Sequence, residues 1–187
     1  MLKQSYPWIV LLVIPVILTL CSCKTETVVT STIRDFNTLD LLIELSDMPV
    51  GWQVKDEPQF FREIGTVEAA TVSFVSNANV TRNGSFFSAF NYGSTQEASR
   101  VFNKMFVPRV LGTPPTEWIS PVVSAQQAEM GCYDYEGREP FVCQWTAQYE
   151  EFVVSFHTWL IPDYMSLSDL EKIVIAIDNK MKSYLGE

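Results

Sequence analysis

Hydrophobic and polar residues alternate with a period of two over much of the second half of the chain. Between residues 128 and 160 the alternation falls into three segments, separated by turn residues at Gly137-Arg138 and Glu150-Glu151. This pattern is typical of antiparallel strands that bury one face and leave the other near water. We therefore predict a three-stranded meander over residues 128–160.

The two turns set a register that the side chains can check. A two-residue turn at Gly137-Arg138 places Cys132 opposite Cys143, which predicts a disulfide between them. Two glutamates are poor type I′ turn residues, so a longer turn at Glu150-Glu151 is the alternative to a two-residue one. The resulting register predicts these core-side pairs: Met130 with Trp145, Phe141 with Leu160, Trp145 with Phe156 and Ala147 with Val154.

The other face of the meander is half polar, and we expect it to border water. On it lie Gln144, Thr146, Gln148, Val153, Ser155, His157 and Trp159. We select as a candidate binding surface Val153, Ser155, His157 and Trp159, together with Trp118 from the irregular segment at 107–127. The alternative is that this segment simply covers the face.

Two further segments, residues 70–76 and 85–92, predict a hairpin around Asn83-Gly84, the dipeptide that best fits a type I′ turn. A bulge or a looping out of residues 77–82 is the alternative. Adjacent rings in a strand point to opposite faces. One ring of Phe86-Phe87, and one of Phe60-Phe61, should therefore point away from the main core.

Two helices are predicted from capping boxes followed by apolar stripes. Ser94 and Glu97 predict a helix from Thr95 that ends before Pro108. Its apolar stripe is Ala98, Val101, Phe102, Met105 and Phe106. Ser168 and Glu171 predict a second helix that runs to about residue 185. Its stripe is Leu170, Ile173, Val174, Ile177, Met181 and Leu185.

These elements predict an α+β fold, an antiparallel sheet packed on one face by two helices. The order of elements is similar to the fold shared by extrinsic photosystem subunits and several exported bacterial domains, and this implies a fold but no function. A leucine-rich segment at 37–46 leads into Asp47-Met48-Pro49-Val50-Gly51-Trp52. That turn resembles the opening of the mature domain in many bacterial lipoproteins.

The N-terminus has the pattern of an export signal. Lys3 precedes an apolar run from Trp8 to Leu20, which is too short to span a bilayer comfortably. Leu20-Cys21-Ser22-Cys23 resembles the bacterial lipobox, with a cysteine at the −2 position as its one departure. The resemblance implies removal of residues 1–22 and diacylation of Cys23. An ordinary cleaved signal, or a short uncleaved anchor, is the alternative.

The lipobox implies a location in the bacterial cell envelope, on the extracytoplasmic side of a membrane. We expect residues 23–36 to be a lipid-anchored linker and residues 37–187 to be one domain. Removing 1–22 leaves 12 basic and 22 acidic residues, a formal charge of −10. Such a charge argues against nucleic acid as a partner. The remaining cysteines, Cys132 and Cys143, form an even pair, which suits an oxidising compartment.

Catalytic and metal-binding motifs are absent from the sequence. His157 is the single histidine, and there is no nucleophile elbow, phosphate loop, dinucleotide fingerprint or Cys-x-x-Cys pair. We therefore expect no enzyme, no metal and no cofactor. The leading hypothesis is a membrane-tethered module that binds a protein partner or belongs to an envelope complex. The alternative is a small-ligand-binding or sensor domain, with a cleft between the sheet and the 107–127 loop.

Overall fold

The computed structural model describes residues 34–77, 84–107, 112, 114, 115, 118–135, 138–161 and 163–186. The predicted signal peptide at 1–22, Cys23 and residues 24–33 of the predicted linker lie outside these residues, as do Asn83 and Gly137. No helix in the described part of the chain is long and apolar enough to cross a membrane.

The described elements form an α+β domain, as the sequence predicts. The strands are β1 (Trp52–Phe60), β2 (Glu68–Ser76), β3 (Gly84–Asn91), β4 (Gln127–Tyr135), β5 (Arg138–Tyr149) and β6 (Phe152–Leu160). A short 3-10 helix at Leu45–Asp47 precedes them. Helix α1 spans Thr95–Val101 and continues as a π-helix over Phe102–Phe106, and α2 spans Leu167–Leu185.

The six strands belong to one antiparallel sheet in the order β1-β2-β3-β6-β5-β4. The chain therefore builds two three-stranded meanders, which join where β3 pairs with β6. Strand β1, which the sequence pattern does not predict, lies at one edge, contains Pro58 and is mostly exposed. Proline is tolerated there because an edge strand leaves some backbone positions without a ladder partner.

The predicted register of the second meander is confirmed. Cys132 lies opposite Cys143, and the two form a disulfide. Arg138 pairs with Tyr135 and opens β5, so it lies in the strand and not in the turn. The other predicted backbone pairs are also formed: Met130 with Trp145, Phe141 with Leu160, Trp145 with Phe156 and Ala147 with Val154.

The turn between β5 and β6 is two residues long, which decides against the longer alternative. Tyr149 pairs with Phe152, and Glu150 adopts a positive φ of 48°. Arg34 forms ion pairs with the carboxylates of both Glu150 and Glu151. Its guanidinium therefore offsets the repulsion between two neighbouring acids, and it holds the N-terminal end of the described chain against this turn.

The first meander contains the predicted strand pair, but its connection is longer than a type I′ turn. Gly84 lies in β3 opposite Val75, so Asn83-Gly84 does not form a two-residue turn. The residues between β2 and β3 run from 77 to 83. Six of them, 78–83, lie outside the described residues, so the looped-out alternative stays a prediction.

The two helices lie on opposite faces of the sheet, which corrects the expectation that both cover one face. Helix α2 packs on a large cluster that we call the main core. Helix α1 and the π-helix pack on a smaller cluster, the second core, which includes Ala69, Phe90 and Val153. Neighbouring residues in a strand point to opposite faces. Val153 and Val154 accordingly belong to different cores.

The predicted helical stripes are confirmed as buried surfaces, with changes at the caps. Ser94 caps α1 by accepting a hydrogen bond from the Glu97 backbone. The N-cap of α2 is Ser166, not Ser168. Its hydroxyl accepts from the Asp169 backbone while the Asp169 carboxylate accepts from the Ser166 backbone. The capping box therefore lies two residues earlier than the sequence pattern suggests.

The N-terminal segment of the domain belongs to the main core. Leu41, Leu42 and Ile43 are almost fully buried there. Phe36, which the sequence analysis places in the linker, packs its ring on Phe152 at 5.7 Å and on Tyr184 at 5.0 Å between centroids. The domain's packing thus extends at least to Phe36.

Asp178 on α2 is a carboxylate buried in the structure, only 4% exposed. The Tyr149 hydroxyl donates a hydrogen bond to it at 2.8 Å, and the backbone N–H groups of Val123 and Ser124 donate at 3.3 Å. A buried carboxylate is tolerated only when such donors replace water. Asp178 therefore ties the 118–126 segment to α2 and β5.

We expect Asp178→Ala to lower the free energy of unfolding by about 2–4 kcal/mol, because it leaves a buried hydroxyl and two backbone donors without their acceptor. Denaturant unfolding measures the change. Asp163→Ala, at an exposed aspartate, is the control and should stay within about 0.5 kcal/mol of the parent. Equal stability of both variants would contradict the role given to Asp178.

Candidate functional site

The face of the sheet opposite the main core, here called the outer face, is only partly covered. We call the end of the sheet with the Glu150-Glu151 turn and the 61–67 loop the proximal end, and the other end distal. Helix α1 and the π-helix cover the proximal half of the outer face, where Phe90 and Val153 are buried. In the distal half Val142 is also buried, whereas Phe86 is 44% exposed, and the candidate site lies around this ring.

A band of hydrogen-bonded polar side chains crosses the middle of the outer face. The hydroxyls of Thr146 and Ser155 lie 3.2 Å apart, and both are buried. The Gln144 amide donates to Ser155 at 3.2 Å and to Thr146 at 3.3 Å. These side chains therefore satisfy one another's hydrogen-bonding groups. The Ser155 hydroxyl has a structural role and is not positioned as a nucleophile.

Beyond the polar band lies an aromatic surface, the distal aromatic patch, made by Phe86, His157 and Trp159. Phe86 is 44% exposed, whereas its neighbour Phe87 is fully buried, as the alternation predicts. The Phe86 ring stacks on the His157 imidazole with centroids 4.6 Å apart and an angle of 15° between planes. His157 and Trp159 are half-buried. Phe86 and His157 therefore form a stacked pair at the distal end of the outer face, with Trp159 two residues further along β6 on the same face.

Only part of the predicted binding surface lies together. His157 and Trp159 are in the patch, but Val153 is buried in the second core and Ser155 belongs to the polar band. Trp118 packs against the main core, on the other side of the sheet. Trp118 and His157 therefore do not share one surface, and the predicted cleft between the sheet and the 107–127 loop falls partly on residues outside the described part of the chain. Alternation gives the face of a strand residue but not what covers it.

The environment of His157 favours a neutral ring. Burial lowers the pKa of His157 below its usual 6.5. Within the described residues, no hydrogen bond or ion pair engages its imidazole, and no group of three or more His, Cys, Asp or Glu side chains could hold a metal. The ring thus acts as part of an aromatic surface.

Comparison with known proteins gives no family: no family model matches the chain, and neither a curated protein nor a solved structure is similar to it.

The pKa of His157 provides a direct test of this packing, since it is the single histidine in the chain and titrates alone in an NMR spectrum. We expect a midpoint below 6.5 because burial disfavours the imidazolium. Phe86→Ala should raise the midpoint by opening the ring to water. Ile175→Ala, at a residue of similar exposure on α2 (43%), should leave it unchanged.

The same shift has a consequence for stability. Because the folded-state pKa is lower than the unfolded one, the unfolded chain binds the proton more readily. The stabilisation from the neutral ring is present above pH 6.5 and is lost as the pH falls through the lowered pKa. His157→Gln should therefore reduce the loss of stability between pH 7 and 5. A midpoint at or above 6.5 in the parent would contradict this account.

Proposed function

We propose that this chain is a non-enzymatic binding module, held by a lipid on Cys23 at the extracytoplasmic side of a bacterial membrane. Its distal aromatic patch contacts a protein partner or an envelope complex. The observation that carries the proposal is the exposure of Phe86, a large ring that stacks on His157 at the distal end of the outer face. Rigid aromatic side chains of this kind are enriched at the centres of protein interfaces.

The separation between the distal aromatic patch and the N-terminal end of the described chain supports this arrangement. Arg34 is held at the proximal turn by Glu150 and Glu151. His157 lies six residues along β6 from Glu151, about 20 Å away at the rise of a strand. A domain tethered through its N-terminus therefore presents the patch away from the tether.

The disulfide supports the proposed compartment. The bond between Cys132 and Cys143 joins neighbouring strands β4 and β5. Structural disulfides persist outside the reducing cytosol and are rare within it. This agrees with the export signal that the N-terminal sequence resembles.

A second candidate function, small-ligand binding, is favoured by a groove of about 370 Å³ between the N-terminal segment, the first two strands and α2. Leu39, Val54 and Lys180 are among its lining residues. The volume is within the range of small-molecule sites. This groove lies on the main-core face, not beside the Trp118 loop. A bound small molecule seen by native mass spectrometry, and lost in Leu39→Trp, would favour this function.

Photo-crosslinking from two equally exposed positions tests the leading proposal. A photoreactive phenylalanine analogue replaces Phe86 in one chain and Ile175 in another, each expressed in the native host. We expect one dominant protein adduct from position 86 and none from position 175. Mass spectrometry identifies the adduct, and binding is then measured with the purified partner.

The binding measurement decides the outcome. Because a charge in a desolvated interface is costly, Phe86→Asp should weaken the complex by about tenfold or more, a loss above 1.4 kcal/mol. Ile175→Asp should leave the affinity unchanged. Equal affinities for the two variants, or adducts of the same proteins from both positions, would overturn the proposal.

A further inference from the structure

The end of β1 and the loop that joins it to β2 carry three apolar side chains exposed to water. Ile64 is 93% exposed, Val67 is 74% exposed and Phe60 is 51% exposed, all within eight residues of sequence. Single exposed apolar residues are common on protein surfaces, but a cluster at the tip of one hairpin points to a contact surface. No part of the second core or of the main core includes these three residues.

The loop is held in one shape by its own contacts. The Phe61 ring packs edge-on against Phe90 with centroids 5.7 Å apart, so it anchors the loop to the second core. The backbone N–H of Val67 donates to the Asn91 carbonyl at 2.7 Å, and that of Phe61 donates to the Ala69 carbonyl at 3.0 Å. A loop fixed in this way presents its apolar tip with little ordering cost on binding.

The loop lies at the end of the domain where the chain enters. Arg34, Phe36 and Glu151 line a groove of about 380 Å³ together with Val67. The tip is therefore beside the first described residue of the chain. Ten residues lie between Cys23 and Arg34, so eleven chain steps of about 3.5 Å give a maximum reach of roughly 40 Å. A lipid on Cys23 would thus keep this end of the sheet near the bilayer.

We propose that the tip of this loop inserts Phe60, Ile64 and Val67 into the headgroup–acyl boundary of the membrane in which Cys23 is anchored. The inference rests on the proposed lipid anchor and deepens it, because it fixes the orientation of the domain. The mature chain carries a formal charge of −10. The insertion is therefore driven by apolar burial, and it needs no anionic lipid.

The experiment measures the depth of the loop in vesicles of phosphatidylcholine. Ile64→Cys carries an environment-sensitive fluorophore, and Val50→Cys, fully exposed at the distal end, carries the same label as control. The full acylated chain is reconstituted, and lipids with a doxyl quencher on the acyl chain are added. We expect a blue-shifted emission and quenching several-fold stronger at residue 64 than at residue 50.

A second sample separates the loop from the anchor. The same labelled chains carry Cys23→Ser preceded by a histidine tag, and nickel-chelating lipid holds them on the vesicles. Insertion in this sample supports the loop proposal whether or not the native chain is acylated, which intact mass reports independently. Equal emission and equal quenching at residues 64 and 50 in both samples would overturn the loop proposal. The intact mass of the native chain tests the lipid anchor separately.

Discussion

The pairing of β3 with β6 holds the domain together, because among the described residues no other strand pairing joins the two meanders. Through it Phe87 faces Phe156 in the main core, and Phe90 faces Val153 in the second core. A shift of one residue would send each of these side chains to the wrong face. Burial on both faces therefore fixes the register, and the position of Phe86 beside His157 follows from it.

The parts of the fold that the sequence predicts are those with a strong local pattern. The meander from β4 to β6 follows from alternation and two turns, and its register places Cys132 opposite Cys143. Strand β1 was not predicted because an exposed edge strand shows no alternation and contains Pro58. The sequence also does not predict the face of the sheet on which α1 packs. An apolar stripe shows that a helix is buried, but it does not show against which side of the sheet.

The candidate site was predictable to a similar degree. The adjacent rings of Phe86 and Phe87 correctly indicate one buried and one outward ring. The pattern also predicts that Val153 and Trp118 share a surface with His157. In the structure α1 covers Val153, and Trp118 packs on the other side of the sheet. Whether a strand residue is covered depends on tertiary contacts between segments that are distant in sequence. A local hydrophobic pattern does not contain that information.

The domain has two ends with different surfaces. The proximal end holds Arg34 and the apolar loop tip, while the outer face bears the aromatic patch toward the distal end. Under the proposed function, a membrane attachment at the N-terminus turns the proximal end toward the bilayer and the aromatic patch away from it. A single acyl chain binds a bilayer only marginally, whereas two or more hold a protein stably. The modification of Cys23 is therefore the central claim.

The most direct measurement is the intact mass and N-terminal peptide of the mature chain, expressed with its own signal in a bacterial host and compared with Cys23→Ala. We expect a chain that begins at an acylated Cys23, and loss of the acyl mass in the variant. A mature chain without acyl groups, or one cut at another position, would contradict it.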